Sequence, residues 1–282
     1  MQELEKKYEK LREIIGGFPR LLVAYSGGAD SAFLLKVARD VLGDKVSAAI
    51  ADSPSLPRRE LKQALMIARD YIGIEPKVIE TREMENPEYL QNNGNRCYFC
   101  KSEMFVRMER YASETGIPVL AFGENADDRN DHRPGAQAAR EHDVRAPLRE
   151  AELAKEEIRQ LSRQLGLPTW EKPAAPCLSS RFPYGEKITP EGLLKVEQAE
   201  DFLHQLGFRN LRVRHHDNLA RIEVPEEEIS QITDPALREK ITARFKEIGY
   251  LFVCVDLTGL KSGSLNVILK QNQQFVAPPV ST

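Results

Sequence analysis

Ser26-Gly27-Gly28-Ala29-Asp30-Ser31 joins two hydroxyls, two adjacent glycines and an acid at a point where an apolar run gives way to helical spacing. Glycines there let consecutive N–H groups turn inward, and the positive end of a following helix adds to them, so main-chain donors could cradle a polyphosphate. A Walker loop would need Lys-Ser or Lys-Thr after a longer spacing, and a dinucleotide fingerprint would need three spaced glycines; neither is present. Cysteines form the second constellation. Cys97 and Cys100 are spaced to reach one metal centre, while Cys177 lies far away in the chain. A four-iron cluster held at three of its irons, a zinc ion, a thiol–disulfide pair and plain packing all remain open for these thiols. Cys254, inside the apolar run 251–255, is expected in the core.

Other polar residues cluster where strands should end. Asp52-Ser53 follows one apolar run, and Gly123-Glu124-Asn125-Ala126-Asp127-Asp128 follows another. Ligands of parallel α/β folds bind beyond the carboxyl ends of strands, so Asp52 and Ser53 are placed for the nucleoside half of a nucleotide, with helix capping as the alternative for Ser53. Hard oxygen ligands such as Asp127 suit Mg²⁺ and its phosphates. Arg133, fixed by Pro134 and Gly135, extends that loop. Arg212 and Arg214, two apart on an expected strand, point to one face and would answer a phosphate or a carboxylate; solvated edge charges are the alternative.

The elements that must position these groups follow from periodicity. A charged amphipathic helix at 3–15 precedes a buried strand at 21–23, and a helix then runs until Gly43. Strands are expected at 45–51, 77–80, 118–123 and 144–148, with helices at 58–71, 102–115 and 155–165. That alternation implies a parallel sheet with helices on both faces. The proline-rich stretch 170–185, carrying Cys177, Ser179, Ser180 and Arg181, breaks the rhythm and reads as a functional loop. Beyond it come a helix at 189–206, a hairpin turning at Asp217-Asn218, a helix at 235–248 and strands at 250–256 and 265–269. The expected division is therefore 1–169 for the phosphate-binding domain, 170–186 for the cysteine loop and linker, and 187–282 for a smaller α+β domain.

The 282 residues suffice for two domains with proper cores. Their net charge of -3, from 40 basic and 43 acidic residues, argues against a wide nucleic-acid footprint. No apolar run has the length of a membrane span, no signal-peptide pattern opens the chain, and four cysteines do not make a disulfide framework. A cytoplasmic protein is the expectation.

The phosphate loop is similar to that of the pyrophosphatase-loop ATPases, which generally split ATP between the α and β phosphates. Together with Gly123 through Asp128, Arg133-Pro134-Gly135, Pro176-Cys177-Leu178-Ser179-Ser180-Arg181, Asp256-Leu257-Thr258-Gly259 and the Ser262-Gly263-Ser264-Leu265-Asn266 signature, it resembles the LarE family over nearly the whole chain. That resemblance implies a Rossmann-like N-terminal domain of the adenine nucleotide alpha hydrolase type, and assembly as a homo-oligomer. It implies an ATP-dependent sulfur transferase acting on a small nucleotide, pyridinium biscarboxylic acid mononucleotide, during synthesis of the nickel-pincer cofactor. Ser26, Gly27, Gly28, Asp30 and Ser31, with Asp52, Ser53, Gly123 and Asp127, would hold ATP and Mg²⁺. Ser180, Arg181, Arg212 and Arg214 would hold the substrate's phosphate and carboxylate, and Glu200 and Glu223 match acids that the family associates with a site between its domains. Some members sacrifice the sulfur of the loop cysteine. This chain, with Cys97 and Cys100 besides Cys177, resembles the branch in which a [4Fe-4S] cluster on three cysteines carries sulfide from a donor. A tRNA-thiolating enzyme, which would need a broad basic face, and an amidating synthetase, indifferent to the cysteines, are the alternatives, as is a nucleotide sensor that releases no pyrophosphate.

Overall fold

A computed structural model of the chain describes residues 2–130, 134–173 and 175–261. Arg133, the 262–266 signature and the strand expected at 265–269 lie outside these residues. These described residues divide into two compact units, one of those up to 86 with those from 97 to 175 and the other of 87–96 with those from 176 to 261.

In the first unit, helix α1 (Gln2–Gly16) lays Leu11 and Ile15 on the core. Strand β1 (Leu21–Ala24) is buried along its whole length, as a central parallel strand must be. Helix α2 (Ala29–Leu42) follows the phosphate loop and stops at Gly43, whose φ of 59° suits glycine. Strand β2 (Val46–Asp52) is followed by α3 (Arg58–Ile67), which runs on into one π-helical turn at Ala68–Ile72. Strand β3 (Lys77–Glu80) has the bounds its sequence predicts. The four-residue helix α4 (Pro87–Leu90) belongs to the second unit. Helix α5 (Arg96–Glu114) begins six residues earlier than periodicity suggests, so Cys97 and Cys100 stand in its first turns rather than in a preceding loop.

Strand β4 (Val119–Phe122) completes a sheet ordered β3-β2-β1-β4, in which every pairing is parallel. After α6 (Pro134–Glu141), the strand expected at 144–148 amounts to a single bridge between Ala121 and Arg145. Pro147, at the first position of α7 (Pro147–Glu150), cannot continue a ladder and starts a helical turn instead. Helix α8 (Lys155–Gln164) closes the layer. The alternation along β1 divides the interior. Leu21 and Val23 pack with Leu11, Phe33 and Ile158, whereas Leu22 and Ala24 pack with Phe105, Met108 and Ala138. The result is a doubly wound three-layer α/β unit. The chain moves from β1 outward to β3 and then returns to β4 on the other side, so the topological switch lies between β1 and β4.

In the second unit, Thr189 caps α9 (Pro190–Gln205) by accepting from the Gly192 amide. Strands β5 (Arg212–His216) and β6 (Leu219–Glu223) form the expected hairpin, with Asp217 at φ 52° in its turn. A short α10 (Ile229–Ile232) and α11 (Pro235–Ile248), capped by Asp234, lead to β7 (Phe252–Val255), which pairs parallel to β6. Leu203, Val213, Ile222 and Phe245 share this unit's core. Cys254 does not join it. As a residue of the outermost described strand it is exposed, beside Phe252 at 64% exposure. No helix among the described residues is long and apolar enough to cross a membrane.

Candidate active site

At the switch point the loop after β1 is tied into one shape. Ser31 Oγ donates to the Gly28 carbonyl at 3.2 Å, accepts from the Ser26 amide at 3.1 Å and shares a hydrogen bond with Ser26 Oγ at 3.0 Å. Gly27 has φ 72°, and a Cβ there would come within 2.4 Å of Ala64 Cβ, so only glycine fits. Gly123, at the end of β4, comes so close to α2 that a Cβ would lie 2.8 Å from the Ser31 amide nitrogen. Lys172 reaches back from the loop after α8, donating to the Gly27 carbonyl at 3.2 Å and pairing with Glu60 at 2.8 Å. Nothing in the sequence marks Lys172, since a lysine among prolines reads as solvated.

An open cleft beside this loop is lined by Asp30, Lys101, Glu124, Asp127, Asp128 and Lys155. Lys155 Nζ lies 2.8 Å from both oxygens of the Asp30 carboxylate. Asp127 Oδ2 accepts from the Lys155 amide at 2.8 Å, so this acid also caps α8. Glu124 is buried and pairs with Arg149 at 2.7 Å; burial holds its carboxyl above the usual range. Lys101, one residue after Cys100, sits over the Phe122 ring at 5.1 Å, and burial lowers its ammonium. Its stem crosses Gly135, where a Cβ would lie 2.7 Å from Lys101 Cδ, which explains the glycine of the Arg-Pro-Gly motif. Asp52 pairs with Arg58, and Ser53 Oγ is hydrogen-bonded to Ser55 Oγ at 2.8 Å and to the Ser55 amide at 3.1 Å. The Ser53 hydroxyl is thus held in a local serine turn and does not cap α3, which begins at Arg58 after Pro57.

The second unit gathers the other set. Arg181 forms a fork with Glu200, at 2.8 and 2.9 Å, with both side chains under 9% exposed. It also donates to the carbonyls of Pro176 and Cys177 and to Ser180 Oγ. Arg214 donates to the Ser180 carbonyl at 2.8 Å and to Glu223 at 2.7 Å. Glu200 further accepts from the Val213 amide at 2.9 Å. Arg212 differs: among the described residues its side chain makes no hydrogen bond or ion pair, and burial, then the charges of Arg214 and Arg181, lowers its guanidinium. Two guanidiniums committed to buried acids and a third left over beside them form a positive field next to Cys177, suited to an anionic ligand.

The segment 87–96, which by its sequence reads as a polar loop, braces this loop. Tyr89 OH and Ser179 Oγ are 2.6 Å apart, Asn92 Nδ2 donates to the Pro183 carbonyl at 2.7 Å, and Arg96 donates to the Ser179 carbonyl at 2.8 Å. Cys97 and Cys100 fall in the first unit and Cys177 in the second. Among the described residues no three Cys, His, Asp or Glu side chains stand ready as a metal site.

No family model matches the chain. It is 48% identical over 266 residues to an uncharacterized protein of Synechocystis sp., covering 94% of this chain and 99% of that one. Against the pyridinium-3,5-bisthiocarboxylic acid mononucleotide synthase of Lactiplantibacillus plantarum, identity is 34% over 274 residues, covering 97% and 98%. A subunit of the glutamine-hydrolyzing GMP synthase of Methanococcus maripaludis is 30% identical over 181 residues, 58% of this chain and 56% of that one.

Proposed function

Since the chain belongs to the LarE family, that of the pyridinium-3,5-bisthiocarboxylic acid mononucleotide synthase, we propose that it is an ATP-dependent sulfur transferase that converts the carboxylates of pyridinium biscarboxylic acid mononucleotide into thiocarboxylates for the nickel-pincer cofactor. The observation that carries this reading is the cluster around Ser180, where Arg212 is left to meet an anion beside Cys177. A substrate bearing a phosphate and carboxylates matches that field, and the tied, glycine-bearing loop after β1 supports ATP as the co-substrate.

In the reaction, a carboxylate oxygen of the substrate attacks the α-phosphorus of ATP and pyrophosphate leaves. Sulfur then attacks the acyl carbon and AMP leaves. Main-chain donors of Ser26 through Ser31 hold the phosphates, with Asp52 and Gly123 at the mouths of the neighbouring strands. The oxygens of Asp30 and Asp127 suit Mg²⁺ as a hard ion. Arg212 neutralises the substrate's anion, while Arg181, Arg214, Glu200 and Glu223 keep the loop bearing Cys177 in shape.

Cys97, Cys100 and Cys177 supply three soft donors, a set that fits a [4Fe-4S] cluster; when bound, it offers an iron open to sulfide. Arg96 supports that set, because it ties the chain immediately before Cys97 to the carbonyl of Ser179. A sulfide donor is the expected partner, and the enzyme is expected to act as a cytoplasmic homo-oligomer.

Anaerobic purification, with iron, acid-labile sulfide and visible absorption measured beside a Cys97→Ala/Cys100→Ala/Cys177→Ala variant, tests the cluster. About four irons per chain, lost in the variant, are expected. Pyrophosphate release on adding the mononucleotide, with a thiocarboxylate product by mass spectrometry, tests the reaction. An amide product that survives the triple substitution would instead assign an amidating synthetase.

A further inference from the structure

The cleft between the ends of β1 and β4 holds a cation to which the proposed chemistry gives no task. Lys155 opens α8 with its backbone fixed by Asp127, and its ammonium lies 2.8 Å from each oxygen of Asp30. Asn125 Nδ2 approaches one of those oxygens at 3.4 Å. The other ammonium of the cleft, Lys101, sits over Phe122 and within the field of Glu124. Lys155 is therefore the cation in direct contact with the acid that the nucleotide reading assigns to Mg²⁺.

We propose that Lys155 is a positioning residue that stands in for the metal on Asp30 and makes divalent-cation binding conditional on nucleotide. A divalent ion arriving alone meets a carboxylate already bridged at both oxygens and a like charge at contact distance. Nucleotide phosphates change this, because they bring anions that take over the ammonium while Asp30 turns to the metal. Exchange requires a pair that opens readily. The side chains of Lys155 and Asp30 are 35% and 19% exposed, so water already weakens the attraction between them. Asp127 holds the root of Lys155 during the exchange through its bond to the backbone amide, which leaves the four-carbon stem free to swing. This inference rests on the ATP-using reading of the site.

The test is a titration of the full chain with Mn²⁺ alone, followed by the electron paramagnetic resonance of free Mn²⁺, with and without α,β-methylene ATP. The wild type should bind Mn²⁺ weakly until the analogue is added. Lys155→Met and Lys155→Gln should each bind Mn²⁺ alone about tenfold tighter, within the usual range of a coupling between two ligands, and should gain less from the analogue. Lys155→Arg, keeping the charge, should behave as wild type. If either neutral variant melts like the wild type and binds Mn²⁺ alone no better, the inference falls. It falls too if neither neutral variant folds, since Lys155 would then be a structural ion pair. Failure of the wild type to bind the analogue at all would instead overturn the ATP-using reading, and this inference with it.

Discussion

Arg96 Nη1 donates to the carbonyl oxygen of Ser179 at 2.8 Å, so the residue before Cys97 is held to the residue two positions beyond Cys177. Arg96 also donates to Asn92 Oδ1 and lies 6.0 Å from the centroid of the Tyr184 ring. Arg96→Ala takes a donor from the buried Asn92 Oδ1 and leaves the Ser179 carbonyl with the Phe182 amide alone, and thermal or denaturant unfolding should show a loss of about 1–3 kcal/mol. Iron retained after anaerobic reconstitution should fall as well, although all three cysteines remain. Full iron content at lowered stability would confine Arg96 to folding.

The arginines of the second unit should separate by function. Arg181→Ala takes the ion-pair partner from Glu200 at 8% side-chain exposure, whereas Arg214→Ala takes the nearer partner from Glu223 at 0% and leaves Arg221 at 3.4 Å. Arg181→Ala should cost about 3–5 kcal/mol in urea unfolding, the penalty of a buried charge deprived of its partner, and Arg214→Ala somewhat less because Arg221 still faces Glu223. Arg212→Ala strands no acid and removes a guanidinium crowded by two others. Its unfolding midpoint should stay within error of the wild type or rise, while calorimetric affinity for the pyridinium mononucleotide drops at least about tenfold, as expected for a charge-assisted contact. Equal destabilisation by all three substitutions would refute this division.

Much of this arrangement was legible in the sequence because it depends on local periodicity. The change from a buried run at Leu21–Ala24 to helical spacing after Gly28 marks the phosphate loop, and Asp217 marks the hairpin turn. Contacts between distant segments were not legible. The segment 87–96 reads as a polar loop, yet Asn92 and Arg96 bind carbonyls more than eighty positions away. Periodicity also cannot show that Cys254 sits on an outer strand, because apolar runs look alike at the edge and the centre of a sheet. Lys155 was hidden for another reason: a lysine in a first helical turn normally faces water, and only the fold sets it against Asp30.

The phosphate loop should not tolerate a methyl group at Gly27. Its φ of 72° and the 2.4 Å approach to Ala64 Cβ mean that Gly27→Ala must displace either the loop or α3. A loss of more than about 1 kcal/mol is expected, together with loss of ATP binding in equilibrium dialysis. Gly43→Ala provides the control. It shares a positive φ but has open space around it, so it should cost stability and leave ATP affinity unchanged. ATP binding preserved in Gly27→Ala would mean that the loop does not hold the phosphates.

Acid should loosen the fold through two neighbouring histidines. His215 is buried with Nδ1 hydrogen-bonded to Tyr250 OH at 3.0 Å and its ring against Phe182. Burial, followed by the charge of Lys195, lowers its pKa below the usual histidine value, against smaller opposing effects of Asp217 and Glu191. His216 is lowered by burial and then by Arg221. Both rings thus stay neutral in the folded protein at a pH where the unfolded chain has begun to take up protons, near about 6.5. The unfolded state then binds more protons, so the stability present above that value is lost as pH falls toward the depressed folded pKa values. Melting temperature should decline from about pH 7.5 to about pH 5.5. His215→Gln, which can keep a bond to Tyr250 without titrating, should melt along a shallower slope. A slope identical to the wild type would show that His215 does not contribute to the acid sensitivity of this unit.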